Sequence, residues 1–317
     1  MLDAMGVEVI FLAFALDVAF GDPSWLPHPI VYMGRAIGFS EKQWRKQIRN
    51  ERLAGTCFAL TLILSTFLVS WGLIELCRWI HPLVGTGCEV LLLFFCLSAR
   101  SLEEAAMAVA KAMKTDGLPA ARKQLAMIVG RQTGTLDETA ITRASIETVA
   151  ENFVDGVLSP LFFACIGGVP CAMAYKMINT MDSMVGYKNE TYQYFGTAAA
   201  RIDDAANFIP ARLSVLIIFL SMICLRPARA LSSLKTAISQ GGRHKSPNAG
   251  YPEAAFAGAF HIRLGGPNIY HGILFEKPWI GYQFKDPGFR HIALSCDLML
   301  LSSFLSALSA CVMLTLV

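Results

Sequence analysis

Residues 145–160 read SIETVAENFVDGVLSP, and the uncharged run Val157 to Tyr175 follows without a break. Glu147, Glu151 and Asp155 recur every four residues, so one helix gathers three carboxylates into a stripe. Thr148 and Asn152 extend that stripe, while Ile146, Val149, Ala150, Phe153 and Val157 form the opposing apolar face. Thr135 and Glu138 read as a capping box at the helix start, and Gly156 with Pro160 as its end. Adjacent carboxylates repel unless a cation or a set of donors compensates them. Oxygen-rich sets of this kind suit Mg²⁺, which binds through one or two carboxylates plus substrate phosphates.

The apolar run beside the stripe is not isolated. The chain has 317 residues, 54% hydrophobic and only 16% charged, with a mean hydropathy of +0.48. Soluble domains carry about 25% charged residues. Leu53 to Ile74, Val157 to Tyr175 and Leu298 to Val317 are uncharged and near the roughly 20 residues that cross a bilayer as a helix. These runs predict an all-α, polytopic integral membrane protein, one domain with about 4–6 membrane segments, re-entrant helices included. Broken backbone at membrane depth is tolerated where it lines a protein cavity. Pro160, Gly167-Gly168 and Pro170 interrupt one segment and Pro210 another, so both are expected to be re-entrant or partly inserted.

A net charge of +3 is too small to argue for nucleic acid. Nine cysteines lie almost entirely in apolar segments without CxxC or metal spacing, and read as small buried hydrophobes. The segment from Ala4 to Gly21 lacks a basic leader and a cleavage site, and reads as a retained membrane segment. Asp17, a turn from its end, is placed to reach headgroups or water. Arg35, Lys42, Arg45, Lys46, Arg49 and Arg52 crowd one loop, with no Lys or Arg before them. The positive-inside rule puts about 22–52, 100–156 and 226–292 in the cytoplasm and both termini outside.

Three further groups carry polar chemistry. Lys176, Asn179 and Ser183 share a helical face, with Asp182 three residues from Asn179. Arg201, Asp203, Asp204, Asn207 and Arg212 form the second; an Arg beside an Asp pair suits a metal-bound phosphate, or a plain salt bridge of Arg201 with Asp204. GGRHKSPNAG, residues 241–250, is a basic loop feeding a helix near Pro252, a form that presents N–H groups to an anion. His261 and His271 read as interfacial or structural. Walker A, HExxH, nucleophile-elbow and zinc spacings are absent from the sequence.

GDPxxxPHP at 21–29, RASIETVAENFVDG at 143–156, AYKMINTMDSMVGYKN at 174–189, ARIDD at 200–204, NFIPARL at 207–213, SPNAGYPEAAFAGA at 246–259 and RLGG at 263–266 occur in that order. Over nearly the whole length the chain resembles the cobalamin-biosynthesis CobD/CbiB family, membrane-bound adenosylcobinamide-phosphate synthases. It departs at Gln132 and at Gln240-Gly241-Gly242, where acids are expected. The resemblance implies ATP- and Mg²⁺-dependent ligation of aminopropanol, or its phosphate, to a carboxylate of adenosylcobyric acid. It implies corrinoid and aminopropanol-phosphate substrates, a bacterial cytoplasmic (inner) membrane, and self-association or association with other cobalamin-assembly enzymes. Under it Glu147, Glu151, Asp155 and Asp182 are expected to be catalytic, and Asp203, Asp204 and Asn207 to hold metal. Asp22, His28, Asn152, Lys176, Asn179, Arg201, Arg212, His244, Ser246 and Asn248 are expected to bind substrate or phosphate. The competing reading is a secondary transporter using the carboxylates as a proton or cation relay, with a discontinuous helix at the glycine pair. The carboxylate stripe precedes the apolar run instead of lying within it, which argues against that reading.

Overall fold

A computed structural model describes residues 5–23, 27–187, 189–270, 273–275 and 277–316; His271 lies outside them. The helices in chain order are α1 (Val7–Phe20), α2 (Pro29–Gln47), α3 (Glu51–Ile80), α4 (Pro82–Phe94), α5 (Ala99–Thr115), α6 (Leu118–Leu125) and α7 (Glu138–Phe153). A π-helical turn (Val154–Leu158) leads into α8 (Ser159–Val185). Then come α9 (Thr197–Ala206), α10 (Phe208–Leu225), α11 (Pro227–Gln240), α12 (Gly250–Phe260) and α13 (Arg290–Leu316). Between the last two, β1 (Leu264–Gly265) pairs antiparallel with β4 (Trp279–Ile280), and β2 (Asn268–Tyr270) with β3 (Ile273–Phe275). The chain is therefore almost entirely helical.

Its contacts fall into two compact units. The first comprises Met1–Ser98, Asp155–Asn207 and Ala307–Val317; the second comprises Ala99–Val154 and Phe208–Ser306. Among the described residues, five stretches are long and apolar enough to cross a membrane: Glu51–Ile80, Pro82–Thr115, Glu138–Val185, Thr197–Leu225 and Arg290–Leu316. The N-terminal segment is not among them. Helix α1 has 14 residues, about 21 Å at 1.5 Å per residue, short of the roughly 30 Å hydrocarbon core. Asp17 is fully buried within the protein and does not reach solvent. The basic loop after residue 35 is a helix: His28 caps α2 through its ring and Pro29 occupies the first turn, where a missing N–H costs nothing. From its last turn Arg45 bonds Glu41, Glu51 and the Thr191 carbonyl, each at 2.9 Å, and stacks on Phe195 at 4.2 Å.

Asp137, not Thr135, caps α7, accepting from the Ala140 N–H at 2.7 Å. Asp is the stronger N-cap of the two and stands directly before the first helical residue. Gly156 and Pro160 do not end the helical path. The π turn carries it on, and Pro160 falls in the first turn of α8. Gly156 instead permits a close approach, since a methyl there would overlap the Ser98 hydroxyl.

The long stretch through α8 is not one straight rod. Gly167 leaves the helical region and Gly168 takes φ 70°, a left-handed value that only glycine adopts freely. The chain doubles back there. Asp155 bonds Asn179 at 3.3 Å, Ser159 and Tyr175 bond the same atom, and the Phe163 and Tyr175 rings stack at 5.1 Å. These are nested antiparallel contacts closing on the glycine pair. This segment is therefore a helical hairpin that reverses at the glycine pair. Spin labels on Asp155→Cys and Ser183→Cys, in a cysteine-free background, should lie within about 20 Å rather than the roughly 42 Å of an unbroken helix. A distance near the latter would disprove the fold-back.

In the second unit α5, α6 and α7 enclose a core of Val109, Ala112, Ala121, Leu125, Ile141 and Ala144. Helix α12 is buried along nearly its whole length against α11, to which Gly258 allows backbone contact: a methyl there would overlap the Ser232 carbonyl.

Candidate functional site

The expected site residues gather in two groups, one in each unit. In the first unit the turn after α4 is a platform. The Phe95 ring meets the edge of His28 at 4.9 Å, the Cys96 carbonyl accepts from Lys176 Nζ at 3.2 Å, and the Ser98 N–H donates to the Gly156 carbonyl at 3.0 Å. His28 Nδ1 accepts from the Ile30 N–H at 3.3 Å, which leaves its proton on Nε2, 3.2 Å from Asp22 Oδ1. With Tyr32 and Arg35, this pair lines a cavity of about 570 Å³.

The hairpin brings the acids together. Asn207, at the end of α9, accepts from Ser159 Oγ at 2.7 Å and Tyr175 Oη at 2.9 Å through one oxygen. Its Nδ2 donates to Asp203 Oδ2 at 3.1 Å. Both lone pairs of the amide oxygen are used, so Asn207 is a strut and not the metal ligand expected from sequence. Asp203 keeps a second oxygen, Oδ1, that is buried without a hydrogen-bond partner among the described residues. Asp182 and Asp204 both repel it electrostatically. Either a proton or a cation satisfies such a carboxylate. Among the described residues no three His, Cys, Asp or Glu side chains converge as a metal cage. Mg²⁺ does not need one, since one or two carboxylates with phosphate oxygens and water suffice; Asp203 and Asp204 fit that mode. Lys176 is buried with a neutral carbonyl as its hydrogen-bond partner, leaving two donors for an anion. Arg201 is exposed.

In the second unit Glu147 is pinned and not available as a base. Oε2 is ion-paired with Arg131, Oε1 accepts from the Gly265 N–H at 2.7 Å, and the residue is 4% exposed. One turn earlier Arg143 donates to the Gly265 carbonyl at 3.1 Å and stacks on Trp279 at 4.5 Å. Arg263 stacks on the same ring at 4.5 Å and grips Asp286 with two bonds, at 2.7 and 2.6 Å, which holds the Asp286 carboxyl below its usual range. These contacts fasten α7 to the β1–β4 ribbon. Glu151 is exposed, and Asn152 donates back to the Thr148 carbonyl of its own helix at 2.9 Å.

The glycine-bounded loop is held by the residues expected to bind phosphate. Ser246 Oγ accepts from the Asn248 and Ala249 N–H groups, both at 3.3 Å, and Arg212 donates to Asn248 Oδ1 at 3.3 Å and Pro247 O at 3.4 Å. Arg212 also stacks over Tyr251 at 4.4 Å. They set the loop's shape. His244 is the residue they present. Its Nδ1 accepts from the Ser246 N–H at 3.0 Å, so Nε2 carries the proton. Nε2 is buried without a hydrogen-bond partner among the described residues, and Glu253 Oε1 lies 3.8 Å away. Burial, reinforced by the Lys277 charge, lowers the His244 pKa to about 4. Burial and then Glu147 and Glu151 push the Glu253 carboxyl well above its usual range. Sequence reading missed Glu253, although it is the one acid in the otherwise apolar run PEAAFAGAF. Ser159 and Arg131 gave no such signal.

The lowered His244 pKa has a consequence for stability. The unfolded imidazole titrates near 6.5 and the folded one near 4, so the unfolded chain binds more protons between these values. Stability is therefore complete above 6.5 and is lost as pH falls toward 4. At pH 5 the loss is about 2 kcal/mol. Glu253 works in the opposite sense. Thermal melting of wild type and His244→Gln should show a smaller acid-induced fall in the variant; equal falls would contradict the burial of this ring.

The model of the CobD/Cbib protein family matches residues 10–299. The chain is 45% identical over 298 residues to the cobalamin biosynthesis protein CobD of Klebsiella pneumoniae subsp. pneumoniae, covering 93% of each chain. It is 46% identical over 280 residues to the protein of the same name from Geobacter metallireducens, covering 87% of each. To the cobalamin biosynthesis protein CbiB of Salmonella typhimurium it is 41% identical over 298 residues, covering 93% of each. No solved structure matches the chain.

Proposed function

We propose, because this chain belongs to the CobD/Cbib protein family, that it is an amide ligase joining aminopropanol or its phosphate to a carboxylate of adenosylcobyric acid. The observation that carries this reading is Asp203 Oδ1, a buried carboxylate oxygen without a hydrogen-bond partner among the described residues, beside two further acids. A carboxylate is a poor electrophile because oxide is a poor leaving group. ATP, when bound with Mg²⁺, supplies the phosphoryl group that makes that oxygen leave.

The chain's own residues do the rest. Asp203 and Asp204 would hold the cation. Lys176, with two free donors, neutralises phosphate oxygens, and preorganised charge of this kind usually contributes most of an enzyme's rate enhancement. Asp155 is oriented by Asn179 and stands one hairpin arm from Asp182; one of the pair accepts the proton that the incoming ammonium must lose. Glu147 leaves the set of bases, since both its oxygens are engaged. In the second unit His244 offers an uncharged N–H to an anion, with the 246–249 loop shaped around it.

The test supplies purified protein in lipid with ATP, Mg²⁺, aminopropanol phosphate and adenosylcobyric acid. A new amide product, seen by mass, supports the ligase. Uptake of substrate into liposomes with no product supports the transporter and removes this reading.

A further inference from the structure

We infer that the groove between α5 and the start of α13 binds one anionic phospholipid. It lies wholly within the second unit and encloses about 750 Å³. Met107, Ala293 and Phe289 give it an apolar floor, and Lys111, Lys114 and Arg290 give it a basic rim. All three cations are exposed, and none forms an ion pair among the described residues. Among the described lining residues the acid is Glu104, which is bonded to Arg100 at 2.8 Å, and Asp116 beside the groove accepts from Thr115 at 2.9 Å, so the three cations outnumber the acids on the rim.

The place of the groove selects the occupant. Arg290 is the first residue of a helix long and apolar enough to cross the membrane, and the end of such a helix lies at the headgroup level. There an apolar floor below a triple cation matches an acyl chain below a phosphate. Basic residues at a membrane surface attract anionic lipid at about 1 kcal/mol each, which is a factor of about five per cation.

Native mass spectrometry of the detergent-solubilised full chain, with equal phosphatidylglycerol and phosphatidylcholine, tests this. The expected result is one phosphatidylglycerol retained in preference. That preference should fall roughly fivefold with each of Lys111→Gln, Lys114→Gln and Arg290→Gln, all exposed positions where folding is undisturbed. Met107→Asp should weaken retention through the floor, while Lys42→Gln with Lys46→Gln on α2 should leave it unchanged. Equal retention of the two lipids, an equal loss in the α2 control, or displacement by millimolar glycerol phosphate would each overturn the inference. The last would mark a site for soluble phosphate instead.

Discussion

Exchanging Asp203 for asparagine should lower amide formation roughly 10²–10³-fold, the usual scale for removing one preorganised electrostatic group. Asparagine keeps an oxygen for the Asn207 Nδ2, so the strut to Ser159 and Tyr175 survives. Only the charge is removed. The protein should therefore stay folded, and the Mg²⁺ concentration needed for half-maximal rate should rise. Asn207→Ala tests the contrast: it should destabilise the hairpin by leaving Ser159 and Tyr175 hydroxyls without their buried acceptor, at about 1–3 kcal/mol each. Wild-type rate and Mg²⁺ dependence in Asp203→Asn would end the proposal that this carboxylate holds the cation.

Glu147→Ala should be the most destabilising single change in the second unit. It removes the carboxylate paired with the Arg131 guanidinium, which is 8% exposed, and frees the Gly265 N–H at once. Breaking a buried ion pair from one side costs about 3–5 kcal/mol, whereas replacing both partners with apolar groups of similar volume is often near neutral. The double variant Glu147→Leu/Arg131→Met should thus recover much of the melting temperature and of the ligation rate. Recovery of folding without any recovery of ligation would return Glu147 to the chemistry.

The difference between these two acids was invisible in the primary structure. Glu147 and Asp203 are both acids in helical segments beside apolar residues, and spacing placed each in a plausible cluster. What separates them is what lies opposite: an arginine 16 residues upstream and a strand N–H for one, an amide strut and two acids for the other. The same holds for Ser246, Asn248 and Arg212. Their residue types suit phosphate, yet folding engages them in shaping the loop that presents His244. Glu253 escaped notice because a lone acid in a helix of alanines has no periodic partner. By contrast, the fold-back had a local signature, whereas the π turn at Gly156 read in the sequence as a helix end. The glycine pair flanked by prolines marked the reversal, and the carboxylate run up to Asp155 marked the helix feeding it.

Helical class, membrane residence and the positions of the breaks follow from the chain's one-dimensional order, because hydropathy over about 20 residues and the φ range of glycine or proline are local properties. Which oxygens remain unsatisfied is not local. It depends on partners delivered by the reversal at Gly167-Gly168 and by a ribbon far along the chain from Glu147, and the free or occupied state of a carboxylate exists only once those contacts close.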